Sequence, residues 1–118
     1  MSPGPGEMAG TEPIHVVLVT APDLAAAAGL GRSLVEEGLA ACVNLVPGVR
    51  SIYRWQGEIH DDPEVLLIVK TRASLVETLA SRVRALHPYE LPEVLALPVA
   101  GGSEPYLAWV RDAAEASS

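Results

Sequence analysis

The chain has 118 residues, 19% of them charged, and a formal net charge of −7. That length supports one domain with an adequate but not generous core, and the acidic balance argues against phosphate-backbone binding, which needs a basic surface. One cysteine precludes an internal disulfide framework and fits a reducing, cytoplasmic setting, and no apolar run approaches the ~18 residues of a membrane span.

Residues 1–13 are rich in Gly and Pro and carry almost no large apolar side chain. They cannot offset the entropy of ordering and are expected to form a flexible tail ahead of a single domain at 14–116. They also lack the basic start and apolar stretch of a secretory signal. Ile14 to Val19 is a β-branched, apolar run and reads as a buried strand. Thr20-Ala-Pro22-Asp23 reads as a helix start, with Pro22 at the first helical position and Asp23 at the positive end of the dipole. Leu24, Ala27, Ala28, Gly31, Leu34 and Val35 follow the helical period and are the expected buried stripe. Gly31 on that stripe permits close approach to a sheet, and Gly38 is placed to end the helix.

From Ala41 the period falls to two. Ala41, Val43 and Leu45 point one way, and Cys42, Asn44 and Val46 the other. Pro47-Gly48 interrupts the run before it resumes with Ser51, Tyr53 and Trp55 on one face, so the spacing predicts a long, bent strand. Gln56-Gly57 is a hairpin turn, and Asp61-Asp62-Pro63 predicts a second irregularity across it. Val65 to Val69 is apolar on both faces, the mark of a central strand. Ser74-Leu-Val-Glu77 has the form of a capping box, followed by a stripe of Leu75, Leu79, Val83 and Leu86. Pro88 and Pro92 bracket a rigid connection to a fourth strand, Val94 to Val99. Ser103-Glu-Pro105 starts a last helix with Tyr106, Val110 and Ala113 on one side.

The order β-α-β-β-α-β, then α, predicts an α+β, ferredoxin-like fold with helices on one face of an antiparallel sheet. The other face has only the last helix to cover it, although the central strand is apolar there too. Self-association is therefore the physical expectation.

Several stretches carry a resemblance: Thr20–Asp23, Leu39–Asn44, Ser51–Gly57, Lys70-Thr71, His87–Glu93 and Tyr106–Trp109. Together, in register over residues 14 to 113, they resemble the CutA divalent-cation tolerance proteins. The resemblance implies a tight homotrimer similar in architecture to the PII signalling proteins, with the sheet extended between subunits. It also implies a link to tolerance of copper and other divalent ions, no obligatory cofactor and no agreed enzymatic activity. Some copper-binding relatives carry a Cys in the first strand and a doubled His before the Pro, positions held here by Val19 and Leu86.

The chain has no Phe, so its few rings are concentrated where an interface or a site is expected. Tyr53, Trp55, Tyr89 and Trp109 are candidates for a cleft between subunits or for packing at that boundary. Cys42, Lys70, Glu90 and Glu93 join them, with Lys70, on a buried strand, expected to pair with Glu90 or Glu93. Cys42 reads either as a small buried hydrophobe or as a thiol needing a nearby base or cation. His87 is the metal candidate for Cu(II) or Zn(II), because Glu90 follows it closely; the competing reading is a cap on the preceding helix. His15 and His60 lack metal-ligand spacing and are expected to have solvent-exposed, structural roles. No phosphate loop, paired cysteines or nucleophile elbow is present in the sequence, so a non-enzymatic protein is expected. The alternative is a PII-like sensor binding a metabolite in the clefts.

Overall fold

The computed structural model describes residues 12–115. Its elements are β1 (Ile14–Ala21), α1 (Leu24–Glu36), β2 (Cys42–Trp55), β3 (Glu58–Arg72), a 3-10 turn (Ala73–Leu75), α2 (Val76–Leu86), β4 (Leu95–Pro98) and α3 (Glu104–Ala113). The strands form one antiparallel sheet in the order β2-β3-β1-β4, the ferredoxin-like arrangement.

One sheet face is the core. Val17 and Val19 of β1 and Leu67 and Val69 of β3 alternate toward α1 and α2, meeting Ala27, Leu34, Leu79 and Val83. The packing in this cluster is wholly aliphatic. At Gly31 the helix comes so close that an added Cβ would lie 3.2 Å from Val43 Cγ1.

The helices differ from the sequence reading in detail. Asp23 is the N-cap of α1, its Oδ1 accepting the Ala26 N–H at 2.8 Å, so Pro22 precedes the helix instead of opening it. The buried stripe runs through Ala27, Leu30, Gly31 and Leu34, while Leu24 is 52% exposed and Val35 also faces out. Gly38 ends the helix with a positive φ of 74°, as expected. The capping box at Ser74 does not form, because a 3-10 turn occupies that position without a side-chain cap. Glu12 does the capping instead. Its Oε1 accepts the Ser74 N–H at 2.8 Å, its other oxygen sits 3.4 Å from Arg72 Nη1, and its backbone carbonyl accepts from Arg111 Nε at 2.8 Å. Glu12 and Pro13, expected in the tail, are thus tied to the body; residues 1–11 lie outside the described residues. On α3 the buried side chains are Leu107 and Val110, not Tyr106 or Ala113.

The β2–β3 ribbon sets the shape. Beyond the Ala21↔Val65 pair β1 has ended, and β2 and β3 continue alone to the turn. Gln56 and Gly57 both have positive φ, 50° and 81°, which a two-residue type I′ turn demands. The predicted bend is a bulge between Val46 and Val49, with Gly48 at φ 81°. The second irregularity does not occur. Pro63 stays in register opposite Arg50, tolerated because the other side of β3 has no neighbouring strand there. The molecule measures 57 × 27 × 23 Å with a radius of gyration of 15.5 Å, against about 13 Å for a compact chain near this size.

The second face carries Val16 and Leu18 of β1, Leu66 and Ile68 of β3, and Leu95 and Leu97 of β4. α3 covers only the Ile14 end of it, through Ile14, Ala41, Leu107 and Val110. Leu95 and Leu97 remain 57% and 50% exposed, and no helix among the described residues is long and apolar enough to cross a membrane.

Candidate functional site

The rigid segment after α2 and the ribbon face each other across a cleft of about 760 Å³. Alternation along β2 turns Tyr53 and Trp55 to the side of β3 that carries His60, Asp62 and Glu64, because their cross-strand partners are His60 and Glu58 and that face repeats every second residue. The opposite wall is the Pro88–Glu93 segment, held by prolines at both ends.

His87 fixes that wall. It is the C-cap of α2, and its backbone N–H donates to the Val83 carbonyl at 2.8 Å. Its ring bridges two other places. Nε2 donates to the Thr20 carbonyl at 2.7 Å, and Nδ1 accepts the Tyr89 N–H at 3.0 Å. A carbonyl can only accept and an amide can only donate, so the ring is the neutral tautomer with its proton on Nε2. Both nitrogens are engaged and the residue is 8% exposed. The cap predicted for His87 therefore acts through the end of β1 instead of the last helical carbonyls, and a metal at either nitrogen has to displace a hydrogen bond.

The Pro88–Glu93 wall presents Tyr89, whose hydroxyl donates to Glu64 Oε2 at 2.9 Å. Across the cleft the Tyr53 hydroxyl donates to Asp62 Oδ2 at 2.7 Å, and its ring stacks on His60 with centroids 5.1 Å apart. Glu64 is only 8% exposed, yet no basic side chain pairs with it among the described residues. The lining includes Glu64, Glu90 and Glu93 and no Lys, Arg or His. Three groups of the cleft are pushed toward holding their protons. Burial, then the Glu64 hydrogen bond, raises the Tyr89 hydroxyl well above its ordinary range. Asp62's hydrogen bond raises Tyr53, and burial followed by the Glu64 charge raises Glu93.

Of the residues singled out from sequence, Tyr53, Trp55, Tyr89, Glu90 and Glu93 meet in this cleft. Cys42, Lys70 and Trp109 do not. Lys70 lies six residues along β3 from Glu64, about 20 Å away, so its expected pairing with Glu90 or Glu93 does not form within the chain. Its Nζ instead reaches Cys42 Sγ at 3.9 Å, and the Tyr106 hydroxyl, raised by burial and then by the Cys42 sulfur, lies against the same thiol. Trp109 is 48% exposed on α3, its ring tilted against Tyr106 at 5.6 Å. His15 and His60, expected to be solvent-exposed, are instead half-buried, each with a ring nitrogen that has no partner among the described residues.

Glu64 escaped the sequence reading. The signal was the polar alternation Glu58, His60, Asp62, Glu64, which places a carboxylate on the same face as Tyr53 and Trp55 once the hairpin is paired. No group of three or more His, Cys, Asp or Glu side chains able to hold a metal occurs among the described residues.

Comparison with known proteins adds a consistent result. Residues 15–113 match the family described as CutA1 divalent ion tolerance protein. The chain is 55% identical over 98 residues to the divalent-cation tolerance protein CutA of Thermus thermophilus, covering 83% of this chain and 95% of that one. It is 51% identical over 106 residues to the chloroplastic protein CutA of Arabidopsis thaliana, covering 90% of this chain but 58% of that longer relative. The crystal structure of CutA1 from Oryza sativa superimposes with a TM-score of 0.87 at 47% identity, covering 92% of this chain and 99% of that one.

Proposed function

Because the chain belongs to the CutA1 divalent ion tolerance family, we propose that it is a non-enzymatic homotrimer taking part in the response to divalent metal ions, copper among them. The sheet supports assembly: Leu95, Leu97 and Trp109 stay exposed in one copy, and the free sides of β2 and β4 offer edges that sister copies can extend. Each copy then contributes its cleft at a subunit boundary. The free Cys42 accords with a reducing, cytoplasmic setting.

The observation that carries the metal reading is the cleft's charge, with Glu64, Glu90 and Glu93 unopposed by any basic side chain in the lining. Hard divalent ions favour such oxygen donors, and Cu(II) accepts them alongside nitrogen. Since three donors do not converge among the described residues, the ion would keep most of its waters and bind weakly, without being an obligatory cofactor. Calorimetric titration of copper into the wild type and Glu64→Gln tests this. Weak saturable binding that falls in the variant is expected; equal affinity in both would remove the cleft from the metal response. A second reading, a PII-like protein holding a metabolite in the same clefts, is favoured by the rings of Tyr53, Trp55 and Tyr89.

A further inference from the structure

We infer that the cleft takes an alkylammonium ion, its charged head at Glu64 and its aliphatic part against the rings of Tyr53, Trp55 and Tyr89. This rests on the reading of the cleft as the protein's ligand site and names the chemistry of what enters it.

Glu64 is the starting point. A carboxylate that is 8% exposed ordinarily has a cation beside it, yet its hydrogen-bond partner is the neutral Tyr89 hydroxyl and no salt bridge reaches it among the described residues. A cation entering the cleft supplies the missing charge. Glu90 and Glu93 add to the negative lining, and no basic group among the described residues of one copy opposes them. Glu64 accepts the Tyr89 hydroxyl at 2.9 Å and shares its face of the ribbon with Tyr53 and Trp55, which places it between the two walls.

The rest of the lining selects the kind of cation. A bare divalent ion gains from converging oxygen donors, and no set of three is present among the described residues. It gains nothing from Ile52, Leu91 and Pro92, which also line the space. An alkylammonium ion uses both halves. Its N–H groups donate to a carboxylate, its charge is attracted by aromatic faces, and its methylene groups leave water against rings and aliphatic side chains. The volume of about 760 Å³ lies in the range of ~300–1,000 Å³ usual for small-molecule sites. Divalent cations then compete for the same carboxylates, which would couple metal level to occupancy of the cleft.

The test uses the full chain, with n-butylammonium chloride as probe and n-butanol as its neutral counterpart, at fixed ionic strength. Calorimetry and the Trp55 indole N–H signal report binding. The expected result is saturable binding of butylammonium, none of butanol, competition by copper, and about tenfold weaker binding in both Glu64→Gln and Trp55→Leu. Trp55 lies on the exposed ribbon, so its variant keeps the question open to decision should Glu64→Gln fold poorly. Butylammonium binding that is absent, or unchanged in both variants, overturns the inference. If copper binds through Glu64 while butylammonium does not, the inference falls and the divalent-ion reading stands. If neither binds because a sister copy's basic side chain fills the cleft, both fall.

Discussion

Replacing His87 by Ala removes the ring that ties three segments of chain together: the end of α2, the end of β1 and the Tyr89 wall of the cleft. Two hydrogen bonds are lost, at 2.7 and 3.0 Å. The Thr20 carbonyl belongs to a buried residue and is left without a partner, at a cost toward the upper part of the ~1–3 kcal/mol range for a stranded buried group. Tyr89 is partly exposed, so water can reach its amide and the loss there stays near or below about 1 kcal/mol. Together these give a destabilisation of about 3 kcal/mol. Urea unfolding at fixed protein concentration measures it, since association would make the midpoint depend on concentration. The reasoning also predicts little direct effect on copper affinity, because both ring nitrogens are already occupied. A stability loss below about 0.5 kcal/mol together with a large fall in copper affinity would refute it and make His87 an open metal ligand.

The two glycines of α1 should respond differently. Gly29→Ala has open space around the new Cβ and should stabilise by about 0.5–1 kcal/mol, whereas Gly31→Ala presses a methyl to 3.2 Å from the stiff, β-branched Val43 and should be neutral or destabilising; thermal unfolding of the pair compares them directly. Thr71→Val keeps the shape of a fully buried side chain but deletes its 2.7 Å hydrogen bond to the Leu39 carbonyl, and should cost about 1–2 kcal/mol in the same assay. Burial alone would raise the Glu12 carboxyl, but the Ser74 hydrogen bonds and the charges of Arg72 and Arg111 hold it below its ordinary value of 4.5. A carboxyl with a depressed folded pKa contributes fully above its unfolded value and loses that contribution as pH falls through the folded one. Acid titration of stability should therefore show a shallower fall below pH 4.5 in Glu12→Gln than in the wild type; parallel curves would dismiss the clamp.

The fold was legible because hydrophobic period and turn chemistry agreed along the chain. Val65 to Val69 announced a central strand, Gln56-Gly57 a two-residue turn, Pro47-Gly48 a bulge, and Gly31 a close helix–sheet contact. The misreadings came from features that no local window contains. Ser74 and Glu77 have the spacing of a capping box, but a carboxylate from 62 residues earlier in the chain takes the Ser74 amide. Leu24 and Val35 fit the helical stripe by spacing, yet they lie on its margins and the sheet does not reach them.

The site divides in the same way. Tyr53 and Trp55 could be placed on one face by alternation, and the Pro-bracketed segment after His87 suggested a rigid wall. That the two face each other depends on β3 and β1 setting the hairpin beside the end of α2. Glu64 could have been found by carrying the ribbon's pairing back from Gln56-Gly57. Lys70 does not meet Glu90 or Glu93 within one copy because its position puts it at the far end of β3 from the cleft, a separation that the need of a strand lysine for a carboxylate does not reveal.

Mass in solution bears most directly on the idea that one copy leaves its second sheet face unfinished. Size-exclusion chromatography with light scattering at micromolar concentration should give three times the 12.4 kDa chain mass, and Leu97→Glu, which puts a charge on that face, should shift the population toward smaller species. A stable, well-folded 12.4 kDa monomer of the wild type at that concentration would contradict the account.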